Sequence, residues 1–224
     1  ALLSQRALDS LQRQDFTVVD RFVDGAFVDA LLTDIDTLRA QPAVTALAPP
    51  SARNGAVEWY ELLPQAPPGR TVARTSLYDL VERLQTHLED LDSVEMHAHC
   101  TELKYACYPT GGHYARHVDA MVSGSERERR WSFILYLNKG WLPSAGGKLR
   151  VYRDDGGHFD VAPTAGTLVV FRSSTVPHEV LHTTSRRTAI VGWLGREVEP
   201  PPPADEEDMS ELRRALLQHF RDKG

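Results

Sequence analysis

The sequence predicts a mostly β domain flanked by helices, an antiparallel sandwich or barrel of which the double-sheet jelly roll is one form. Three observations predict it. From residue 97 onward, short β-rich runs at 98–108, 113–119, 131–138, 147–152, 158–161, 167–171, 176–181 and 187–195 alternate with Gly, Pro, Asn and Asp turns. Before that point apolar residues recur at helical spacing in three segments. After it, a proline run introduces one more amphipathic segment.

In order along the chain, Leu3, Ala7, Leu8 and Leu11 form the stripe of a first helix, and Phe16–Val19 reads as a short strand. Asp24 is placed to cap a second helix, whose stripe is Phe27, Val28, Leu31, Leu32, Ile35 and Leu38, ending before Pro42. Residues 41–70 are proline-rich and aperiodic apart from a short strand at Val57–Tyr60. A long irregular stretch inside a domain is more often a functional loop than filler. Ser76 is expected to cap a third helix with the stripe Leu77, Leu80, Val81, Leu84, Leu88, Leu91. Beyond the β runs, Pro200–Pro203 reads as a stiff spacer, and Asp205–Phe220 as a helix with acidic residues in its first turn.

A chain of 224 residues fits one domain. Residues 1–199 are read as that domain, with helical support over 1–96 and a jelly-roll core over 97–195, followed by the spacer and C-terminal helix of 200–224. A hydrophobic fraction of 42% supports a real core. The net charge of −6 disfavours non-specific binding to nucleic acid or membrane, since the basic stretches at Arg127–Arg130, Arg186-Arg187 and Arg213-Arg214 sit among acidic residues or in the motif region. No apolar run reaches the length of a membrane span, and residues 1–14 lack a signal-peptide centre. Cys100 and Cys107 are an odd number of residues apart in one expected strand, hence on opposite faces, so no disulfide is expected. A reducing, intracellular and cytoplasmic setting follows, or a nuclear one in a eukaryote, for a monomer.

Chemistry concentrates in His113-Tyr-Ala-Arg-His117-Val-Asp119 together with His178 and Arg187. On a strand His117 and Asp119 project from one face. With His178 brought in by a distant strand, they make a facial triad of two imidazoles and one carboxylate. That set suits non-haem Fe(II) with open positions, and it is not a closed thiolate zinc cage. Arg187 stands in an otherwise apolar strand and so requires a buried anionic partner. A dicarboxylate cosubstrate supplies one. His97, His99, His113 and His182 are read as solvent-exposed. By position alone Tyr136 is equally a core tyrosine or a ligand contact, and Tyr108 and Trp193 are core aromatics.

The segment Tyr105-Ala-Cys-Tyr108-Pro-Thr-Gly-Gly-His-Tyr114-Ala-Arg-His117-Val-Asp119 resembles the iron-binding region of the prolyl 4-hydroxylase-like Fe(II)/2-oxoglutarate oxygenases. It is most similar to the oxygen-sensing, HIF-type (EGL-nine-like) prolyl hydroxylases and their bacterial or protist relatives. The likeness continues in Ile134-Leu-Tyr136-Leu-Asn-Lys-Gly-Trp141, Gly146-Gly-Lys-Leu-Arg150-Val, Val176-Pro-His178-Glu-Val and Arg187-Thr-Ala-Ile-Val-Gly-Trp193. Arg53 to Trp59 matches in spacing, so the likeness covers about 16–195.

The resemblance implies a double-stranded β-helix supported by N-terminal helices and a C-terminal helix. It implies Fe(II) on His117, Asp119 and His178, and 2-oxoglutarate held by Arg187, Tyr136 and Tyr108. A target residue would lie against Tyr114, Trp193 and Arg53. The implied reaction is peptidyl-prolyl 4-hydroxylation of a protein substrate with O2, yielding hydroxyproline, succinate and CO2, with ascorbate as accessory reductant. Residues 44–55 are expected to close over a bound peptide. Three other readings exist. A hydroxylase of a free amino acid or other small molecule shares the whole apparatus. A nucleic-acid demethylase conflicts with the acidic charge. A non-enzymatic binding module conflicts with an intact triad and Arg187.

Overall fold

A computed structural model describes residues 2–40, 57–62, 71–120 and 126–199. Three helices begin where side chains satisfy their first free N–H groups. Helix α1 (Gln5–Gln14) starts with the Ser4 hydroxyl accepting from the Ala7 N–H. It stops at Asp15, whose φ of 61° a short polar side chain tolerates. After strand β1 (Phe16–Val19), helix α2 (Gly25–Arg39) is capped as expected by the Asp24 carboxylate, which accepts the Phe27 N–H at 2.8 Å. After strand β2 (Glu58–Glu61), helix α3 (Val72–Asp92) begins earlier than the sequence suggested. Its cap is Thr71, not Ser76, because Ala73 and Arg74 are themselves buried and carry the inward stripe one turn back.

The rest of the described chain is β: β3 (Glu102–Tyr108), β4 (Tyr114–His117), β5 (Arg127–Tyr136), β6 (Leu149–Tyr152), β7 (His158–Val161), β8 (Leu168–Arg172), β9 (His178–Val180) and β10 (Arg187–Glu197). The strand expected from residue 98 starts only at Glu102, since Ala98–Cys100 curl into a 3-10 turn. β5 begins at Arg127 instead of 131, its charged start pairing with the end of β10 as Arg127↔Glu197 and Glu128↔Arg196.

All strand pairings are antiparallel, in a six-stranded sheet ordered β1-β8-β5-β10-β3-β2 and a four-stranded sheet ordered β4-β9-β6-β7. Two facing antiparallel sheets of this kind make a jelly roll. β1 and β2, supplied by the helical N-terminal part, form the two edges of the larger sheet. No helix among the described residues is long and apolar enough to cross a membrane. The proposed spacer and helix of 200–224 lie outside the described residues.

Strict alternation splits the large sheet into two buried faces. Trp131, Phe133 and Leu135 on β5, with Ile190 and Leu194 on β10, pack against the helices. Ser132 and Tyr136 on β5, with Arg187, Ala189 and Trp193 on β10, share the opposite parity and face the small sheet. Gly192 lies on the helix side, where a Cβ would come within 2.3 Å of the Phe133 ring, so only glycine fits. The side chains around the cavity described below come from this inner face, from the small sheet and from the loop that follows β4.

One polar network ties the helices to the sheet. Asp34 of α2 accepts from Arg74 Nε of α3 at 2.8 Å, from the Thr71 hydroxyl at 2.8 Å and from the Tyr105 hydroxyl of β3 at 3.0 Å. Asp34 and Arg74 are buried. Asp34→Ala is therefore expected to destabilise the fold by about 3–5 kcal/mol, because it leaves a guanidinium buried without its counter-ion. Urea unfolding measures this, and a loss below roughly 1 kcal/mol would mean Arg74 finds another acceptor.

Candidate active site

His117 closes β4 and His178 opens β9, and the two are direct cross-strand partners with ring centroids 4.3 Å apart. Asp119 lies two residues past the end of β4, where its N–H donates to Ser173 O at 2.9 Å. The expected strand through 119 is thus shorter, yet the three side chains still converge. Their ligand atoms lie within 4.8 Å of one another, with His117 Nε2 at 3.2 Å and His178 Nε2 at 3.8 Å from Asp119 Oδ1.

Each imidazole is oriented by its own strand. His117 Nδ1 sits 2.8 Å from Ala115 O, and His178 Nδ1 sits 3.0 Å from Val176 O. A carbonyl only accepts, so both Nδ1 atoms carry a proton, and both Nε2 atoms face Asp119, donating to it when protonated and offering a lone pair to a metal when neutral. This is the outer-sphere arrangement of metal-binding histidines. Burial lowers the pKa of His178, against the raising effect of Asp119, which favours the neutral ring a metal needs. Burial alone would raise Asp119, but the hydrogen bond with His117, the charges of His178 and His117 and the Ser132 hydroxyl hold it well below the usual carboxylate range.

Arg187, the first residue of β10, is 2% exposed. Its Nε donates to Gly147 O at 2.9 Å, and its guanidinium carbon lies 4.7 Å from the Tyr108 ring centre and 5.1 Å from that of Tyr136. Gly147 has a φ of +69°, and a Cβ there would press on Arg187 Cδ at 3.0 Å, so this glycine shapes the arginine's seat. Arg187 Nη1 and Nη2 and the Tyr136 hydroxyl are buried with no hydrogen-bond partner among the described residues. Burial pushes Tyr136 up to about 12, against the lowering effect of Arg187, so its hydroxyl keeps its proton as a donor.

A cavity of ≈ 390 Å3 opens over the triad, walled by Trp59, Tyr108, Tyr114, Leu149, Val191 and Trp193 among others. Trp59 stands edge-on to Tyr114 and tilted to Trp193, each with centroids 6.4 Å apart. Lys104 and Arg129 also line it, which the sequence reading missed. The alternation of β5 would send Arg129 to the helix side with Trp131. A register irregularity at Leu194/Gly195 of the partner strand breaks that alternation, and such a bulge re-aims a side chain. Arg129 stacks 4.2 Å from the Trp193 ring centre and bonds both Glu102 oxygens at 2.7 Å. His113 and His182 stay outside the triad, half-buried and exposed respectively, with rings 4.3 Å apart. Arg53 and the segment 44–55 lie outside the described residues.

Comparison with known proteins agrees with this geometry. A sequence model of the 2OG-Fe(II) oxygenase superfamily matches residues 103–195. A Pseudomonas putida prolyl-4-hydroxylase structure is 30% identical, covers 86% of this chain and 98% of its own, and superposes with a TM-score of 0.76. The chain belongs to the 2OG-Fe(II) oxygenase superfamily. A Trichoplax adhaerens prolyl hydroxylase, solved with a hypoxia inducible factor peptide fragment, shares the oxygenase fold at TM-score 0.72 and 21% identity, over 84% of this chain and 86% of its own. An alpha-ketoglutarate-dependent carbocyclase from nogalamycin biosynthesis shares it too, at TM-score 0.67 and 12% identity, over 93% of this chain and 90% of its own.

Membership makes this protein an oxidoreductase and implies Fe(II), 2-oxoglutarate and O2. Its own residues fit both groups that must be held. Two neutral imidazole nitrogens and an ionised carboxylate, with no thiolate, suit Fe(II) and leave positions open. A guanidinium with two unpartnered nitrogens, facing an unpartnered hydroxyl in a dry pocket, is strongly unfavourable until a carboxylate accepts from them.

Proposed function

We propose that this oxygenase is a peptidyl-prolyl 4-hydroxylase, converting a proline within a protein substrate to hydroxyproline while 2-oxoglutarate becomes succinate and CO2. The observation that carries the reading is the aromatic wall of Trp59, Tyr114 and Trp193 beside the triad. A saturated pyrrolidine ring is an apolar body of the size that packs on such faces, and this wall borders the same cavity as the triad. The Pseudomonas putida neighbour, a prolyl-4-hydroxylase, supports it.

In this reading His117, Asp119 and His178 hold Fe(II), which supplies the oxidising chemistry when bound. The Arg187 fork and the Tyr136 hydroxyl take the far carboxylate of 2-oxoglutarate, and Tyr108 forms the wall between that carboxylate and the cavity. Leu149, Val180 and Val191 keep the cavity dry, which strengthens every charged contact inside it. Tyr114 and Trp193 fix the target residue, so that one C–H bond is presented and the rest of the substrate is not. Arg53, residues 44–55 as a closing segment and ascorbate as accessory reductant belong to the same proposal. So do residues 1–199 as the catalytic unit, with 200–224 as an appended spacer and helix, and a monomeric state. We place the protein in a reducing intracellular compartment, supported by the free, buried state of Cys100 and Cys107.

The test is incubation with Fe(II), 2-oxoglutarate and ascorbate against a panel of proline-containing peptides drawn from cell lysate, with free proline alongside. Succinate release coupled to the gain of one oxygen atom on a peptide proline, read by mass spectrometry, is expected. Coupled turnover of free proline or another small molecule, with every peptide unmodified, would assign the site to small-molecule hydroxylation instead.

A further inference from the structure

Away from the cavity, the turn that leads into β3 gathers His97, His99 and Cys100, whose ligand atoms lie within 4.8 Å of one another. Local geometry brings them together. The Cys100 N–H bonds to His97 O at 2.8 Å, curling Ala98–Cys100 into a 3-10 turn. A strand would have sent Cys100 to the face opposite both histidines. The two imidazoles stack with centroids 5.4 Å apart and planes 16° from parallel.

The end of β10 completes the cluster. The Glu197 carboxylate lies 2.7 Å from His99 Nε2, so that nitrogen carries the proton and the Nδ1 lone pair is left for a cation. A carboxylate behind a histidine orients imidazoles in metal sites. Cys100 is 5% exposed, and its thiol lies above its ordinary range, raised by burial and by the charge of Glu197 against the lowering effect of Arg127, so the cation itself must displace the thiol proton. His97 Nδ1 accepts the Glu197 N–H at 3.1 Å, so ligation by His97 exchanges that long contact for a metal–nitrogen bond.

We propose that His97, His99 and Cys100, with Glu197 behind His99, form a second metal site for a borderline-soft divalent cation of the zinc class. Two imidazole nitrogens and a thiolate match that class, whereas hard cations take oxygen ligands and the His117–Asp119–His178 set carries no sulfur. The site ties the entry of β3 to the exit of β10. Those strands pair from Arg187↔Tyr108 to Trp193↔Glu102, so the tie closes the ladder at the end opposite Arg187. It uses residues distinct from the catalytic triad and stands or fails independently of the proposed hydroxylase activity.

Cobalt(II) titration of the chelator-stripped, reduced full chain tests this, because a thiolate–cobalt charge-transfer band can arise only from a cysteine ligand. A stoichiometric band is expected in the native chain and in Asp119→Ala, which disables the other centre. It should vanish in Cys100→Ser, persist in Cys107→Ser and be displaced by zinc. His99→Ala removes a side chain that is 57% exposed, so the fold should survive while the band weakens. Glu197→Gln should weaken cobalt binding by roughly 10–100-fold, the usual loss on removing an outer-sphere partner. Absence of the band when cobalt saturates the triad, or its survival in Cys100→Ser, would overturn the proposal. Unchanged affinity in Glu197→Gln would remove the glutamate from it.

Discussion

Asp119→Ala is expected to abolish 2-oxoglutarate turnover and to weaken Fe(II) binding by more than about 100-fold, the upper range for losing a mere outer-sphere contact. The carboxylate is the anionic member of the set, and both Nε2 atoms converge on its Oδ1 at 3.2 and 3.8 Å. Removing it leaves two neutral nitrogens that meet a divalent cation with no compensating charge. His117→Ala and His178→Ala should show the same loss of turnover, for each removes one of three donors. Anaerobic iron titration and a succinate assay measure the two effects separately. Full turnover by Asp119→Ala would eliminate the triad as the metal centre.

Arg187→Ala should raise the KM for 2-oxoglutarate by roughly 100-fold, since two charge-assisted hydrogen bonds are worth about 1.5–3 kcal/mol each and part is recovered by entering water. Iron affinity should stay near native, because Arg187 bonds to Gly147 O and stacks on Tyr108 and Tyr136, away from the triad nitrogens. Arg187→Lys should restore only part of the affinity, as an ammonium cannot present a planar fork. An unchanged KM in Arg187→Ala would give the carboxylate to another residue.

Much of this was legible before any coordinates. An apolar stripe located α1, and a stripe with the Asp24 cap located α2, because both signals depend on groups only a few residues apart. β-rich runs between turn residues located β3 to β10 to within a few positions. The buried arginine of an apolar strand announced its need for an anion, and its Nη1 and Nη2 are indeed without a partner among the described residues. Thr71 was overlooked as a cap because Ser76 has equal capping chemistry. What separates them is the burial of Ala73 and Arg74 against other elements.

Other features had no local signal. Arg129 reaches the cavity only because the register of β10 slips at Leu194/Gly195, which the β5 sequence does not record. His97, His99 and Cys100 read as an ordinary strand start, and Glu197 joins them from a position 98 residues beyond His99. Gly147 is read from the sequence as the start of the β run 147–152, yet its carbonyl seats Arg187 forty residues later. Periodicity encodes which side of a strand each residue occupies, so the donors and their chemistry could be listed from the chain alone. Which strands become neighbours depends on burying both faces of a twisted sheet at once, and that long-range packing brings His178 beside His117 and closes the pocket over Arg187.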